Sequence, residues 1–286
     1  MQRLQEKLEA PILDVMQWAD ELLDSVFGSI TVMHIRDDIQ AMRGEAARAL
    51  AQIPPLLHAI ERQDVRGGIN LAHQTDNLLL RARVNYVFRF RQDYAHRLTR
   101  LQQNILSHIE TSSIAGCEYL ARIKSYLSLV SPGTVVHCDY YYLPTVLRDF
   151  LRGAQPDVEL HIAPGVGEFY GNVEGLRRAL TYVLENRRHA GEDAEVQVYA
   201  ARESNASVRL LIVDNGPGIN PKDAPHIFEP FYQAKPDDPG MGLGLTLAQR
   251  LMRQQGGDVQ LHGASDEDNG GAAFAVSLPI GITKPK

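Results

Sequence analysis

Two glycine-rich segments in the second half of the chain constrain its fold more than any other feature. The first, at 213–219, reads Val-Asp-Asn-Gly-Pro-Gly-Ile and follows the apolar run 210–213, which has the length and composition of a buried strand. Its glycines allow positive φ and a close approach of the backbone to a ligand. An aspartate at the end of a buried strand needs a hydrogen-bond donor, and the amino group of an adenine could supply one to Asp214.

The second segment, at 240–245, reads Gly-Met-Gly-Leu-Gly-Leu and opens a helix predicted over 243–255. A helix N-terminus preceded by glycines offers free N–H groups and the positive end of the helix dipole to phosphate oxygens. Either segment alone is weak evidence for a nucleotide-binding site. Together they predict one site that holds a nucleotide at both ends.

The order and spacing of three motifs resemble those of sensor histidine kinases. Residues 214–219 are similar to the first glycine box, Ile-Phe-Glu-Pro-Phe-Tyr at 227–232 to the phenylalanine box, and 240–245 to the second glycine box. The likeness covers roughly 140–279 and implies a GHKL-type ATPase domain that binds ATP with Mg²⁺. The nucleotide-binding residues that it implies in these boxes are Asp214, Asn215, Gly216, Gly218, Ile219, Phe228, Gly240, Gly242, Leu243, Gly244 and Leu245.

Periodicity predicts alternating strands and helices after residue 133. Strands are expected at 158–162, 168–170, 195–199, 208–213, 259–261 and 272–278, and helices at 142–151, 173–188 and 243–255, the second capped by Asn172. This pattern gives a mixed sheet with helices on one face, although alternation alone also fits a doubly wound fold. The resemblance selects an α/β sandwich of the Bergerat type, so the chain is predicted to be α+β, with a helical domain at 1–133 and an ATP-binding domain at 134–286.

The segment 180–190, Leu-Thr-Tyr-Val-Leu-Glu-Asn-Arg-Arg-His-Ala, resembles the N-box of the same family. Asn186 matches the asparagine whose side-chain oxygen ligates Mg²⁺, an ion that prefers oxygen ligands. The segment is one residue shorter than the family pattern, which leaves Arg188 and His189 as alternative phosphate contacts. Gyrase-type ATPases carry a water-activating glutamate at the position of Tyr182, so rapid ATP hydrolysis is disfavoured while transfer to a histidine is not.

The first half of the chain is predicted to be helical. Apolar residues recur at intervals of three and four over 8–23, 32–53 and 98–130, and Pro54 and Pro55 are expected to end the second helix. Two such helices can pair antiparallel, and two copies would make a four-helix bundle, which predicts a homodimer. The apolar and aromatic segment 78–90 either extends this bundle or forms a separate cap.

Histidine kinases carry their phosphoacceptor on the first helix of such a bundle, in the pattern His-Glu-(Ile/Leu)-Arg-x-Pro-Leu. Met-His-Ile-Arg-Asp-Asp-Ile at 33–39 resembles it with the acid after the histidine deleted, so His34 is the first candidate, with Asp37 or Asp38 replacing that acid. The alternative is His73, because Asn77 resembles the amide that orients water in kinases with phosphatase activity. The segment 6–12 also looks like such a helix but has no histidine, a likeness that we attribute to helical composition.

Composition excludes several classes of partner. A formal charge of −6 gives no reason to expect a nucleic acid or a membrane surface, and no apolar run approaches the ~18 residues of a membrane span. Two cysteines do not form a disulfide framework. Together with this composition, the resemblance implies a cytoplasmic kinase core that reaches a membrane only through a missing or separate sensor and phosphorylates the receiver domain of a response regulator. The alternatives are a nucleotide-binding pseudokinase and an ATP-driven clamp of the gyrase class, which Tyr182 disfavours.

Overall fold

The computed structural model of the chain divides into two compact units, Met1–Pro132 and Gly133–Lys286. It describes residues 1–26, 33–94, 98–130, 137–154, 158–186, 195–235, 240–263 and 271–280. In this part of the chain, no helix combines the length and the apolar composition that crossing a bilayer requires.

The first unit is helical, as predicted. Its elements are α1 (Gln2–Val26), α2 (Met33–Ala51), α3 (Ile53–Glu61), α4 (Val65–Arg81), a π-helical segment (Ala82–Phe88), α5 (Arg89–Tyr94) and α6 (Arg100–Val130). Helix α1 packs on α2 and α6, and α4 also packs on α2 and α6. These four helices therefore form a four-helix bundle within one chain.

The single-chain bundle corrects the expectation that two copies supply the four helices. The segment 78–90, whose role the sequence left open, runs from the end of α4 through the π-helical segment into α5. It thereby extends the bundle. The predicted apolar stripes meet in the core, whose buried members include Leu8, Ile12, Val15, Ala19, Leu22, Ile39, Met42, Leu79, Ile105, Ile109, Leu120, Ile123 and Leu127.

Two prolines mark a boundary between helices. Helix α2 ends at Ala51, shortly before Pro54 and Pro55 as predicted, and both prolines lie inside the first turn of the next helix, α3. The first N–H groups of a helix have no intrahelical acceptor, so a residue without an N–H is tolerated there. The prolines therefore begin a helix.

The second unit contains β1 (Asp139–Tyr142), α7 (Leu143–Ala154), β2 (Val158–Ile162), β3 (Glu168–Gly171), α8 (Val173–Glu185), β4 (Val196–Arg202), β5 (Ser207–Asp214), α9 (Gly244–Arg253), β6 (Asp258–Gly263) and β7 (Ala273–Pro279). Five strands form one sheet in the order β2-β4-β5-β7-β6. β2 and β4 are parallel and the other pairs are antiparallel, which confirms the predicted mixed sheet.

Burial alternates along the central strands. Val198, Ile212 and Phe274 are paired across β4, β5 and β7 and are buried, whereas Tyr199 on the opposite face is exposed. Helix α9 packs on β6 and β7, α8 packs on α9, and α7 contacts β2. This arrangement confirms a sheet covered by helices after a helical region.

One expected strand lies outside the five-stranded sheet. The segment at 168–170 forms β3, which pairs antiparallel with β1 in a separate two-stranded sheet. The sequence predicted neither this pairing nor β1, because helical periodicity already begins at Tyr142. Asn172 caps α8 as predicted, since its side-chain oxygen accepts a hydrogen bond from the Gly175 N–H.

Candidate nucleotide-binding site

Asp214, the predicted base contact, is the last residue of β5 and is half-buried. Its Oδ1 atom accepts two backbone hydrogen bonds, from Gly216 N at 3.0 Å and from Ala272 N at 3.1 Å. No donor from the described residues contacts Oδ2. The carboxylate is therefore held by one oxygen and presents the other as an acceptor.

The turn after β5 is fixed by its neighbours. Asn215 is exposed, and its Oδ1 accepts a hydrogen bond from Glu195 N at 2.9 Å while its own N–H donates to Glu195 O at 3.3 Å. A contact from Asn215 to a nucleotide stays a prediction, and it would use the amide nitrogen. Gly216 is buried and Gly218 has φ of +75°, a conformation that favours glycine. Ile219 follows, half-buried.

The N-terminus of α9 has no capping side chain. The N-cap position belongs to Leu243, which is fully buried and has no oxygen to accept from the first-turn N–H groups, and the first turn carries no acidic residue. Gly244 and Leu245 are half-buried at this end of the helix. Uncapped N–H groups and the positive dipole end are what a phosphate group requires.

Gly242 brings two segments of backbone together. It has φ of +66°, and its carbonyl oxygen accepts from Phe231 N at 2.9 Å. Close by, Gln233 Nε2 donates to Gly240 O at 2.6 Å. Phe231 itself has φ of +66°, a costly conformation for a residue with a side chain. These contacts join the end of the phenylalanine box to the second glycine box.

A buried threonine also holds the two boxes together. Thr246 donates from Oγ1 to the carbonyl oxygen of Phe228 at 3.0 Å. Phe228, predicted as part of the nucleotide site, is half-buried. Sequence reasoning missed Thr246 and Gln233. Thr246 directly follows the second glycine box and lies in the first turn of the predicted helix. A hydroxyl at that position can reach a backbone acceptor outside the helix, and this could have indicated its role.

Asn186, the predicted Mg²⁺ ligand, is the C-cap residue of α8 and is half-buried. Tyr182 lies one turn earlier, and a Cβ on Gly244 would lie 3.8 Å from the Tyr182 carbonyl oxygen. The end of α8 therefore lies against the start of α9. The alternative phosphate contacts, Arg188 and His189, fall outside the described residues.

The two candidate phosphoacceptors lie in the bundle. His34 is the second residue of α2, and its side chain is outside the described part of the structure. His73 lies in the middle of α4 and is exposed, as is Asn77 one turn later. Asp38, one of the acids suggested for His34, forms an ion pair with Arg89 at 3.0 Å.

Comparison with known proteins finds a family that most of the second unit resembles. Residues 171–282 match the family described as "Histidine kinase-, DNA gyrase B-, and HSP90-like ATPase". This segment is therefore similar to the ATPase domains of that family. The match covers both glycine boxes, the phenylalanine box and the N-box.

Curated proteins that are similar to this chain are named as sensor proteins or as a sensor histidine kinase. The C4-dicarboxylate transport sensor protein DctB of Rhizobium meliloti (strain 1021) is 30% identical over 136 residues, 46% of this chain and 21% of that protein. The sensor histidine kinase CpxA of Escherichia coli (strain K12) is 29% identical over 126 residues, 42% of this chain and 26% of its own length. The sensor protein RstB of the same organism is 27% identical over 248 residues, 83% of this chain and 53% of RstB. The chain thus spans from about a fifth to about half of these relatives.

A solved structure supports the fold. The structure of full-length ShkA in complex with AMPPNP superimposes with a TM-score of 0.60 and 24% identity, covering 75% of this chain and 45% of ShkA. At this identity the likeness concerns the fold alone, in which a sheet covered by helices follows a helical region here.

Proposed function

We propose that the chain is the core of a two-component sensor histidine kinase. The C-terminal unit binds ATP with Mg²⁺, a histidine of the helical bundle accepts the γ-phosphate, and the phosphate then passes to an aspartate on the receiver domain of a response regulator. A cytoplasmic location belongs to this proposal, because ATP and such receiver domains are found there.

The observation that carries the proposal is the hydrogen bonding of the two oxygens of the Asp214 carboxylate. Two backbone N–H groups hold Oδ1, and no described donor contacts Oδ2. Asp214 is half-buried, and an ionised carboxylate oxygen only accepts hydrogen bonds, so Oδ2 suits a ligand group that donates one. The amino group of adenine fits that need, while the uncapped start of α9 suits the phosphates.

The residues present also fit a magnesium ion. Asn186 offers an amide oxygen, a ligand type that Mg²⁺ accepts. Asn186 ends α8, and Tyr182 one turn earlier lies close to Gly244 at the start of α9, the helix proposed to bind the phosphates. No cluster of three or more His, Cys, Asp or Glu side chains that could hold a metal exists among the described residues. Bound Mg²⁺ would neutralise charge on the phosphates, while Asn186 would orient them.

Phosphoryl transfer breaks the bond between the γ-phosphorus and its bridging oxygen, and ADP leaves. A ring nitrogen of the accepting histidine forms the new bond, and its neighbouring nitrogen loses a proton to a nearby base. His34 is the proposed acceptor, by its likeness to the family motif. His73 is the alternative, and its exposure beside Asn77 supports access by a second domain.

The test is autophosphorylation of the full chain with γ-labelled ATP and Mg²⁺. The kinase proposal predicts label that is stable to base, labile to acid and absent from His34→Ala. His58→Ala is the matched control, because His58 is an exposed histidine of the same helical unit and its replacement should leave the label unchanged. Label that persists in His34→Ala and disappears in His73→Ala moves the acceptor to α4, and phosphate release without label supports the clamp instead.

A second candidate, a nucleotide-binding pseudokinase that acts as a scaffold, is favoured by two shortened motifs. The segments 33–39 and 180–190 each lack one residue of the family pattern, the first next to the candidate phosphoacceptor and the second next to the candidate metal ligand. Binding of ADP without any histidine-linked label would select this candidate over the kinase.

The partners of the proposal are a receiver domain and a second copy of the chain. Because one chain closes the four-helix bundle, a homodimer would have to form through the outer surface of the bundle. Relatives that match much of the chain are named sensor proteins, which supports a signalling role for both candidates.

A further inference from the structure

The antiparallel pairing of β5 with β7 is altered directly after the last pair of the ladder, Val213 with Ala273, next to the proposed nucleotide site. In a hydrogen-bonded antiparallel pair, the two residues exchange both N–H···O=C bonds. Here Asp214 N donates to Ala272 O at 3.1 Å, as such a pair requires. The return bond goes elsewhere, because Ala272 N donates to the side-chain Oδ1 of Asp214, also at 3.1 Å.

Gly271 explains this diversion. Its φ is +105°, and a Cβ at that position would lie 1.9 Å from the main-chain oxygen of Asp214 and 2.9 Å from its carbonyl carbon. Both atoms belong to the backbone, so they cannot move aside as a flexible side chain does. Only glycine permits this approach, which turns the following N–H group towards the carboxylate.

The diverted bond fixes which oxygen of Asp214 faces outward. Gly216 N and Ala272 N converge on Oδ1 from two different segments, so the carboxylate cannot rotate without losing both bonds. An ionised carboxylate only accepts hydrogen bonds. Oδ2 therefore favours a base edge that carries an amino group and disfavours one that carries a carbonyl oxygen.

We propose that Gly271 and Ala272 are positioning residues that set base selectivity by holding the Asp214 carboxylate in one orientation. This inference rests on the proposed nucleotide binding and adds to it two residues that none of the three glycine-box and phenylalanine-box motifs contains. A merely structural role for Gly271 would weaken the binding of every nucleotide equally. A positioning role changes the ratio between nucleotides with different base edges.

The first test measures that ratio for the full chain with Mg²⁺. The probes are ADP and inosine diphosphate, in which a carbonyl replaces the amino group. We expect the wild type to prefer ADP by about 100-fold, since a charged acceptor that faces a carbonyl oxygen loses its hydrogen bond. Gly271→Ala should reduce this preference about tenfold. Gly263→Ala is the control and should keep the preference, because a Cβ at the end of β6 makes only an ordinary contact, 3.8 Å from Ala273 Cβ.

A second variant keeps the idea testable if Gly271→Ala does not fold. In Asp214→Asn, the two N–H groups would hold the amide oxygen at the Oδ1 position and turn the amide nitrogen outward. The outward group then donates, so the preference should shift towards inosine diphosphate. An Asn variant that still prefers ADP as strongly as the wild type does overturns the orientation argument.

The outcomes separate the two levels of inference. A wild-type chain that binds neither nucleotide overturns the proposed function and this inference with it. Binding of ADP with the same ADP-to-inosine ratio in wild type and folded Gly271→Ala overturns the positioning role alone.

Discussion

Gly242 lies directly against the backbone of Tyr232. A Cβ on Gly242 would be 2.2 Å from the Tyr232 carbonyl oxygen, and its φ of +66° already disfavours a side chain. The second glycine box is therefore glycine-rich for two different reasons. Gly242 permits a close crossing of two segments, whereas Gly244 begins a helix and has ordinary space around it.

This difference predicts different thermal stabilities for the two glycine-to-alanine variants. Gly242→Ala should lower the melting temperature of the C-terminal unit by roughly 4 °C or more, because positive φ alone costs about 1–2 kcal/mol and the clash adds to it. Gly244→Ala should melt within about 2 °C of the wild type, because alanine favours helices and its Cβ would be 3.8 Å from Tyr182 O. Scanning calorimetry without nucleotide measures both, and equal losses in the two variants contradict the assignment.

A pair of adjacent leucines tests the bundle core. Leu79 is fully buried in α4, while Leu80 is 44% exposed. Leu79→Ala should lower the free energy of unfolding of the bundle by about 2–5 kcal/mol through cavity formation, and Leu80→Ala by less than about 1 kcal/mol. The single tryptophan, Trp18, stacks on His108 between α1 and α6, so its fluorescence during urea unfolding reports on this unit. A larger effect at Leu80 would show that its face is covered.

Much of the second unit followed from the sequence for a physical reason. Strand alternation and the three motifs depend only on residues close together in the sequence. They therefore located most strands of the sheet, and the ends of α8 and α9, within a few residues. Local patterns do not encode pairing partners. The sequence therefore missed the pairing of β1 with β3 and the contact of Gly271 with Asp214, which join residues distant in the chain.

The bundle shows the same limit. The apolar stripes of α1, α2 and α6 were visible, but a stripe specifies only that a face is buried and not which chain covers it. The buried positions of α4 are Gly68, Ala72, Thr75 and Leu79, so only one large apolar side chain marked the face that it buries. Two copies were invoked to fill a place that α4 occupies.

The single-chain bundle predicts a helical unit that folds without a second copy. A bundle core made by two chains is lost when the copies dissociate, because its stability depends on mass action. Here α1, α2, α4 and α6 all come from one chain. At dilutions where light scattering shows a monomer, Trp18 fluorescence should therefore still report a cooperative urea transition. Loss of that transition on dissociation would show that a second copy completes the core.

Cys117 should react slowly with alkylating reagents. Burial and then a hydrogen bond with Asp76 raise the pKa of its thiol from 9.0 to about 12. Since the thiolate is the nucleophile, iodoacetamide at pH 8 should modify it roughly 1000-fold more slowly than an unperturbed thiol. Asp76→Asn should speed the reaction, because Lys124 then favours the thiolate. Cys117→Ser identifies the signal by mass spectrometry, and rapid modification of wild-type Cys117 contradicts this environment.

The same thiol gives a pH dependence with a defined sign. Its pKa in the folded chain lies above the unfolded value of 9.0. Its contribution to stability is therefore present below pH 9 and is lost as the pH rises towards 12. In Cys117→Ser, the Trp18 unfolding midpoint should fall less between pH 8 and roughly pH 10 than it does in the wild type. An identical fall in both proteins would exclude a role for this thiol.

The central claim is that Asp214 holds the base of a magnesium nucleotide, and calorimetric titration of ADP with Mg²⁺ into the full chain tests it most directly. The account predicts one site per chain and a loss of affinity of about 100-fold in Asp214→Ala, since the variant removes a hydrogen bond to a charged acceptor. Asp223→Ala is the control, because Asp223 accepts from Tyr232 outside the first glycine box and should leave the site in place. No heat with the wild type, or the same affinity in Asp214→Ala, would contradict the account.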